Sequence, residues 1–534
     1  MRVGCAVGTF HRWAVFRAGQ AGKPKEGVSI DSRAMRRPTS LPESVVPPLP
    51  HPRSGSLLSH SLGLFATGEA RAGSADRVRE RPFSVLEDLI MASDRRSAPI
   101  SLGMIARTRA AIDPESLRAA VHSVLARHPM ARARLRTGPS GRRWWFPDAS
   151  TDDAAVATVA VLTGDDGDDV WAQFADLCSR PFDLAAAPPL RVLHMRLPGG
   201  DAVALAAHHV ALDGLSVATL LRAILELSAP SSDVPEMAPQ AGGPTAKAAE
   251  RAVANPVRPA DCRPAAAGPG RPARGRLPDL AVPRQWLPGR VAVTAARRTR
   301  HDRALAERHH PTYGVHSETL PVPKPRQPTC GGSAATVNDL LLAAAQAAVE
   351  RWNSAAGRAT GTLRMRMPIN IRERDGDVAL GNHTGEAVIA TTSRERQRPD
   401  ILLAAVRRQT VASKAADRPA GARVPTGVVA SLPGPVRHAL LRVAVALARP
   451  LLMPAASVTN LGRMPDLPAA GTAGPQVTSF HFAAFAGMPQ GLVITAVGYG
   501  DELYLTFCYH RDLFDLYAVR RFAALYRTAL GELS

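Results

Sequence analysis

The chain has 534 residues, of which 45% are hydrophobic and 21% are charged. This length allows two or three ordinary domains, or one large two-lobed unit with tails. The formal net charge of +20 suggests a nucleic-acid or membrane partner at first sight, but the distribution of that charge argues against nucleic acid.

The positive charge is concentrated in two segments rich in Pro, Gly and Ala. Residues 1–80 carry 12 Lys and Arg against 6 acidic residues, and residues 231–330 carry 16 against 8. All but five of the 66 basic residues are arginine, and few aromatic side chains alternate with them. This bias is typical of GC-rich coding rather than of a recognition surface, so we expect no nucleic-acid partner.

Four segments are predicted along the chain. Residues 1–80 lack a sustained hydrophobic period and are expected to be a disordered tail, and residues 229–312 are expected to be a linker or surface excursion. Residues 81–228 and 313–534 carry the helix and strand patterns and are predicted to be two lobes. The five scattered cysteines are typical of a reducing cytoplasm, and the N-terminus lacks the apolar core of a secretory signal.

In the first lobe, a helix is predicted to start at Asp113-Pro114-Glu115, which combines an N-cap acceptor, a proline in the first turn and an acid near the positive end of the helix dipole. The apolar run Ala202–Ala207 favours a strand buried on both faces. The segment Leu215–Leu225 then has helical spacing, and Gly214 allows the tight turn between them.

In the second lobe, Thr336–Asp339 resembles a capping box that opens a helix, and a last helix is predicted at Tyr517–Leu530. The segment Leu440–Leu452 is too short and too rich in arginine to span a membrane, so we expect an amphipathic helix on the protein or on a membrane surface. The predicted strands are Thr362–Ile371, Glu386–Thr391, Gly491–Val497 and Leu503–Tyr509.

The segment His208–Gly214, between the predicted strand and helix, reads His-His-Val-Ala-Leu-Asp-Gly. Side chains alternate along a strand, so only one of the two histidines can enter a given site. A neutral imidazole can take a proton from a hydroxyl or an amine near neutral pH, and Asp213 could fix the geometry by pairing with an arginine. No Cys-x-x-Cys or His-x-x-x-His completes a ligand set, so we expect no metal site.

Other catalytic motifs are missing from the sequence. It contains neither a Gly-x-x-x-x-Gly-Lys-[Ser/Thr] phosphate loop nor a Gly-x-Ser-x-Gly nucleophile elbow. A catalytic histidine here would therefore activate the acceptor directly, without a protein nucleophile.

These residues resemble the condensation-domain and chloramphenicol-acetyltransferase-like acyltransferase superfamily, which includes polyketide-associated acyltransferases and wax ester synthase/diacylglycerol acyltransferase enzymes. Residues 208–214 match the family's His-His-x-x-x-Asp-Gly motif in full. The resemblance extends over residues 81–534, because other family segments follow in the expected order. They are Leu125–Ala133, Arg180–Leu184, Pro189–Arg191, Thr336–Leu340, Met367–Arg372, Gly381-Asn382 and Thr459–Gly462.

The resemblance implies an α/β (α+β) fold in which two chloramphenicol-acetyltransferase-like lobes, each a mixed sheet covered by helices, form a V-shaped pseudo-dimer. It implies that His209 is the general base and that Asp213 is a structural anion paired with Arg132. His208 and Gly214 complete the catalytic motif, and His208 is expected to pack on the other side of the strand. The alternative for Arg132 is a surface arginine at a helix end.

An acyl-transfer site also needs a donor for the oxyanion of the tetrahedral intermediate. Ser216, Asn370 and Asn460 are the candidates for this role or for substrate binding. The alternative for each of them is a structural role.

The resemblance implies acyl transfer from a CoA or phosphopantetheine-linked carrier-protein thioester to a small alcohol or amine, by a monomer without a tightly bound cofactor. The Asp-Phe-Gly-Trp-Gly signature of peptide synthetases is absent, since residues Phe507–Asp512 replace it. We therefore expect a stand-alone cytoplasmic enzyme. The alternatives are a wax ester/diacylglycerol acyltransferase-like lipid enzyme peripheral to the membrane, and a non-catalytic condensation-like domain that binds a carrier protein.

Overall fold

The computed structural model describes residues 80–147, 159–163, 167–228, 289–293, 312–324, 334–372, 380–415, 432–467 and 476–534. The predicted tail, apart from Glu80, and most of the predicted linker at 229–312 lie outside the described residues.

The helices begin at the caps that the sequence predicts. Asp113 accepts a hydrogen bond from the Ser116 N–H at the first of these, and Thr336 and Asp339 form a capping box at a later one. The helices within the described residues are α1 (Val85–Ser93), α2 (Pro114–Arg127), α3 (Pro129–Arg132), α4 (Asp168–Ser179), α5 (Gly214–Leu227), α6 (Val337–Ala355), α7 (Ser393–Arg396), α8 (Pro399–Ala415), α9 (Gly434–Leu452) and α10 (Leu516–Leu533).

The strands pair into three sheets in the described part of the chain. They are β1 (Glu80–Pro82), β2 (Ser101–Thr108), β3 (Arg134–Gly138), β4 (Gly141–Trp145), β5 (Val159–Thr163), β6 (Leu190–Leu197), β7 (Gly200–His208), β8 (Tyr313–Pro321), β9 (Leu363–Asn370), β10 (Thr384–Thr391), β11 (Ala456–Arg463), β12 (Val477–Ala484), β13 (Leu492–Tyr499) and β14 (Glu502–His510). The smallest sheet has the order β1-β4-β3.

The sheet that carries the histidine motif has the order β12-β2-β7-β6-β5. Its strand β7 runs antiparallel to β2 and ends at His208, which lies opposite Ser101. Leu205 belongs to the core that includes α2 and α5, whereas Ala204 faces the core that includes Phe174 of α4. The strand is therefore buried on both faces, as its continuous apolar sequence predicts.

One edge of this sheet comes from the C-terminal part of the chain. β12 pairs antiparallel with β2, with Phe482 opposite Met104, and both Phe480 and Phe482 are buried in the core around α2 and α5. Without this strand, the edge of β2 would leave buried backbone groups unpaired. The predicted segment 313–534 thus supplies a strand to the sheet of segment 81–228, which the sequence did not predict.

The largest sheet has the order β10-β9-β11-β13-β14-β8. Its pairs are antiparallel except those that β11 makes with β9 and β13, which are parallel. Trp352 of α6 and Phe522 and Tyr526 of α10 belong to the core beside this sheet. The fold is thus mixed α/β, with sheets covered by helices.

Candidate active site

His209 lies immediately after β7, where the chain turns toward α5. Its backbone N–H donates to the Ile100 carbonyl at 3.0 Å, which fixes the residue beside the start of β2. The Asn382 amide donates to the His209 carbonyl at 2.8 Å and lies 3.4 Å from the ring nitrogen Nδ1. The residue is partly exposed to solvent.

The surroundings of His209 favour the neutral imidazole. Loss of hydration lowers the pKa of His209 below its ordinary value of 6.5. The charge of Asp213 and hydrogen bonds to the carbonyls of His209 itself and Leu212 oppose this shift without overcoming it. His209 therefore has the unprotonated nitrogen that a general base requires at neutral pH.

His208 packs inside the protein, as expected. It is 1% exposed, and its Nδ1 accepts a hydrogen bond from the Val210 N–H at 3.1 Å. Its Nε2 lies 3.5 Å from Asp94, and its ring meets the edge of Phe182. Burial alone would raise the pKa of Asp94, but the hydrogen bond and charge of His208 hold it below the ordinary value. His208 thus supports the loop between β7 and α5.

Asp213 ties the motif to the second half of the chain. Its Oδ1 caps α5 by accepting from the Ser216 N–H at 2.9 Å and also accepts from Arg372 at 2.8 Å. Its Oδ2 accepts from the His383 N–H at 2.9 Å. Burial would raise the pKa of this carboxyl, but these hydrogen bonds and the Arg372 charge keep it low. Asp213 is therefore an ionised anchor rather than a proton donor.

The predicted pair of Asp213 with Arg132 is wrong. Arg132 ends the short helix α3, is 7% exposed, and donates to the Pro147 carbonyl at 3.0 Å. Arg372 occupies the expected place, because the turn after β9 brings its guanidinium onto both Asp213 and Ser216. Arg372 belongs to the Met367–Arg372 segment of the family resemblance, but the sequence did not identify it as the partner of Asp213.

The three oxyanion candidates make structural contacts within the protein. Ser216 is fully buried; its hydroxyl donates to the Gly381 carbonyl at 2.9 Å and accepts from Arg372 and the Gly381 N–H. Asn370 accepts from the Arg372 N–H, and Asn460 accepts from the Gly462 N–H. Ser216 is wrong as an oxyanion donor because its single proton is already committed. The structure does not bring Asn370 or Asn460 into hydrogen-bonding contact with His209.

Asn382 is the residue that sequence reasoning missed. Among the described residues, it is the side chain that makes a hydrogen-bond contact with His209. Its Oδ1 is buried and has no hydrogen-bond partner in the described part of the protein. The signal that could have identified Asn382 is the Gly381-Asn382 segment, which is part of the family resemblance but was given no functional role.

Gly214 is required by packing at the start of α5. A Cβ at this position would lie 2.8 Å from the ends of the Leu461 and Phe482 side chains, closer than real Cβ contacts. We expect Gly214→Ala to destabilise the protein by about 1–3 kcal/mol through overpacking. Gly531→Ala is the matched control, because a Cβ there meets nothing within 4 Å. Equal melting temperatures of the two variants would contradict this role of Gly214.

His481 is among the residues that line a separate cavity of about 530 Å³, and this lining does not include any of residues 208–214. Burial lowers the pKa of His481 to about 3, which makes it a poor base at neutral pH. Among the described residues, no group of three or more His, Cys, Asp or Glu side chains could hold a metal ion.

Residues 94–230 match the family model described as the Condensation domain. An uncharacterized protein of Mycobacterium tuberculosis, found in two strains, is 27% identical over 464 residues, which cover 84% of this chain and 98% of the relative.

Solved condensation domains share the fold. A double mutant of the starter condensation domain of rhizomide synthetase, in complex with C8-CoA, matches with a TM-score of 0.51 and 14% identity over 85% of this chain and 94% of that one. The first condensation domain of the calcium-dependent antibiotic synthetase, with a bound substrate analogue, matches with a TM-score of 0.50 and 15% identity over 85% and 96%. Residues 94–230 thus match the Condensation domain model, and the described part of the chain has the fold of solved condensation domains.

Proposed function

We propose that this protein is a stand-alone acyltransferase that moves an acyl group from a thioester to an alcohol or amine, with His209 as general base. The observation that carries the proposal is the position of His209. The residue is half-buried and neutral, and it is held between the Ile100 carbonyl and Asn382. A neutral imidazole on a partly exposed residue suits proton abstraction from an acceptor.

In the proposed reaction, the ring nitrogen Nδ1 of His209 faces Asn382 and the backbone, and Nε2 faces the acceptor. Nε2 takes the proton of the acceptor O–H or N–H while the acceptor lone pair attacks the thioester carbonyl carbon. The tetrahedral intermediate collapses with cleavage of the C–S bond, and the imidazolium returns the proton to the departing sulfur. The products are the ester or amide and the free thiol, and His209 is neutral again.

Asn382 is the proposed group that orients the acceptor. Its Oδ1 is buried without a partner, and such an acceptor is costly to leave unsatisfied. The second N–H of an amine acceptor would satisfy it next to His209, whereas the single O–H of an alcohol is used by His209. Asp213 and Arg372 take no part in proton transfer and hold the two halves of the site together.

The donor is proposed to be an acyl-CoA or a phosphopantetheine-linked acyl thioester. The rhizomide synthetase domain that shares this fold binds C8-CoA, which supports a CoA thioester as the first donor to test. The test measures release of free thiol. The donors are acyl-CoA thioesters of increasing chain length and the same acyl groups on carrier proteins. Each donor is tested with alcohol and amine acceptors. No turnover on any donor, together with a stable carrier-protein complex, would favour the non-catalytic binding domain instead.

The pH dependence of kcat/KM is expected to report the lowered pKa of His209. The base must be unprotonated, so activity is retained above this pKa and is lost as the pH falls through it. Because burial lowers the pKa from 6.5, the acid limb should have its midpoint below pH 6.5. The measurement is kcat/KM as a function of pH from 5 to 8, with an acceptor alcohol that has no ionisable group in this range. An acid limb centred at or above pH 6.5 would contradict the assignment.

A further inference from the structure

The helix α9 turns its apolar side toward solvent. Val436, Leu440, Val443 and Leu447 are spaced four, three and four residues apart, which places them on one helix face. They are 53%, 48%, 56% and 72% exposed, in that order. Amphipathic helices normally bury this face, and a row of exposed large apolar side chains marks an interaction surface.

The opposite face of α9 is fixed to the protein by polar contacts. Asp88 of α1 is 2% exposed and pairs with Arg437 at 3.1 Å and with His438 at 3.0 Å. Leu441 of the same face is buried. Rotating the helix to bury its apolar row would take Arg437 and His438 away from the buried Asp88 carboxylate and leave it with Arg142 of β4 at 3.4 Å, which is costly. The apolar row is therefore held outward.

The charge around the apolar row is positive. The segment 434–452 contains no acidic residue, and Arg442 is exposed next to Val443. Arg95 and Arg96, also exposed, follow α1, and Arg95 lies close enough to Arg449 for their charges to interact. An exposed apolar face on a helix whose ionisable side chains are all basic complements a surface that is apolar inside and negatively charged at its boundary.

No helix in the described ranges has the length and hydrophobicity needed to cross a bilayer. A helix with an exposed apolar face and flanking cations can still lie in the interface, with its apolar side chains among the acyl chains.

We propose that α9 is a docking surface for an anionic lipid bilayer. The four apolar side chains enter the interface, and Arg442 with Arg95 and Arg96 contacts the lipid headgroups. This inference does not depend on the acyl-transfer chemistry, since none of these residues contacts His209.

The test is co-sedimentation of the full-length protein with phosphatidylcholine vesicles, with and without phosphatidylglycerol. We expect binding that requires phosphatidylglycerol and weakens with salt. Val443→Asp and Leu447→Asp should each lower the vesicle partition coefficient about tenfold, because a buried apolar group is replaced by a charge. The matched control is Val411→Asp on α8, since Val411 is also 56% exposed and lies on a different helix. This control should bind as the wild type does.

Three results would overturn the proposal. The first is that the protein binds neither kind of vesicle. The second is that Val411→Asp and Val443→Asp lose binding equally. The third is a concentration-dependent dimer in light scattering that Leu447→Asp converts to monomer. The last result would assign the face to a second copy of the chain. Turnover of a water-soluble short-chain acyl-CoA, unchanged in Val443→Asp, separates this test from a failure of the proposed enzyme activity.

Discussion

Replacing His209 with alanine is expected to lower kcat by about 10²–10⁴-fold, the contribution of a positioned general base. The fold should persist, because the main-chain contacts of His209 with Ile100 and Asn382 do not use the imidazole. The measurement is steady-state thiol release under saturating donor, together with circular dichroism of both proteins.

The matched control is His122→Ala, which removes an exposed histidine from α2. It should retain full turnover and stability. If His209→Ala turned over within about threefold of wild type, at unchanged KM, His209 would not be the base.

The largest effect on stability is expected at the pair of Asp213 and Arg372. Removing Arg372 leaves the Asp213 carboxylate, whose side chain is 3% exposed, buried without its cation. Arg372→Ala should therefore lower the free energy of unfolding by roughly 3–5 kcal/mol at pH 7. The pKa of Asp213 is lowered in the folded protein, so its contribution is present above the unfolded pKa near 3.8 and is lost as the pH falls through the folded value.

A double-mutant cycle distinguishes the observed partner from the one expected from the sequence. Asp213→Asn combined with Arg372→Ala should show a coupling of about 1–3 kcal/mol in urea denaturation. The same cycle with Arg132→Ala should show almost none, since Arg132 contacts Pro147 instead. Coupling of Asp213 to Arg132 that exceeds its coupling to Arg372 would contradict the geometry described above.

The local elements of the site could be predicted because their signals lie within short segments. The apolar run of β7 and the Asp213 cap of α5 each depend on neighbours a few residues away, whereas Gly214 is required by its contacts with the distant Leu461 and Phe482. Strand alternation predicted only that one of the two histidines enters the site, and the choice of His209 came from the family resemblance; in the structure His208 is buried and His209 is partly exposed.

The contacts between distant segments could not be predicted in the same way. Arg372 and Asn382 lie 159 and 173 residues beyond their partners Asp213 and His209, and the sequence offers many arginines of equal local quality. The strand β12 was not among the predicted strands, and nothing local shows that it pairs with β2. Ser216 was a candidate oxyanion donor because the contact of its hydroxyl with the Gly381 carbonyl, which lies 165 residues away, could not be identified from the sequence.

The most direct test of the proposed function is a product balance by mass spectrometry, with an acyl-CoA donor and a mixed panel of small alcohols and amines. The wild-type protein should form acylated acceptor and free CoA in equal amounts, and His209→Ala should form almost none. Free CoA without any acylated acceptor would show thioester hydrolysis rather than transfer. That result, or equal product formation by the two proteins, would contradict acyl transfer with His209 as its base.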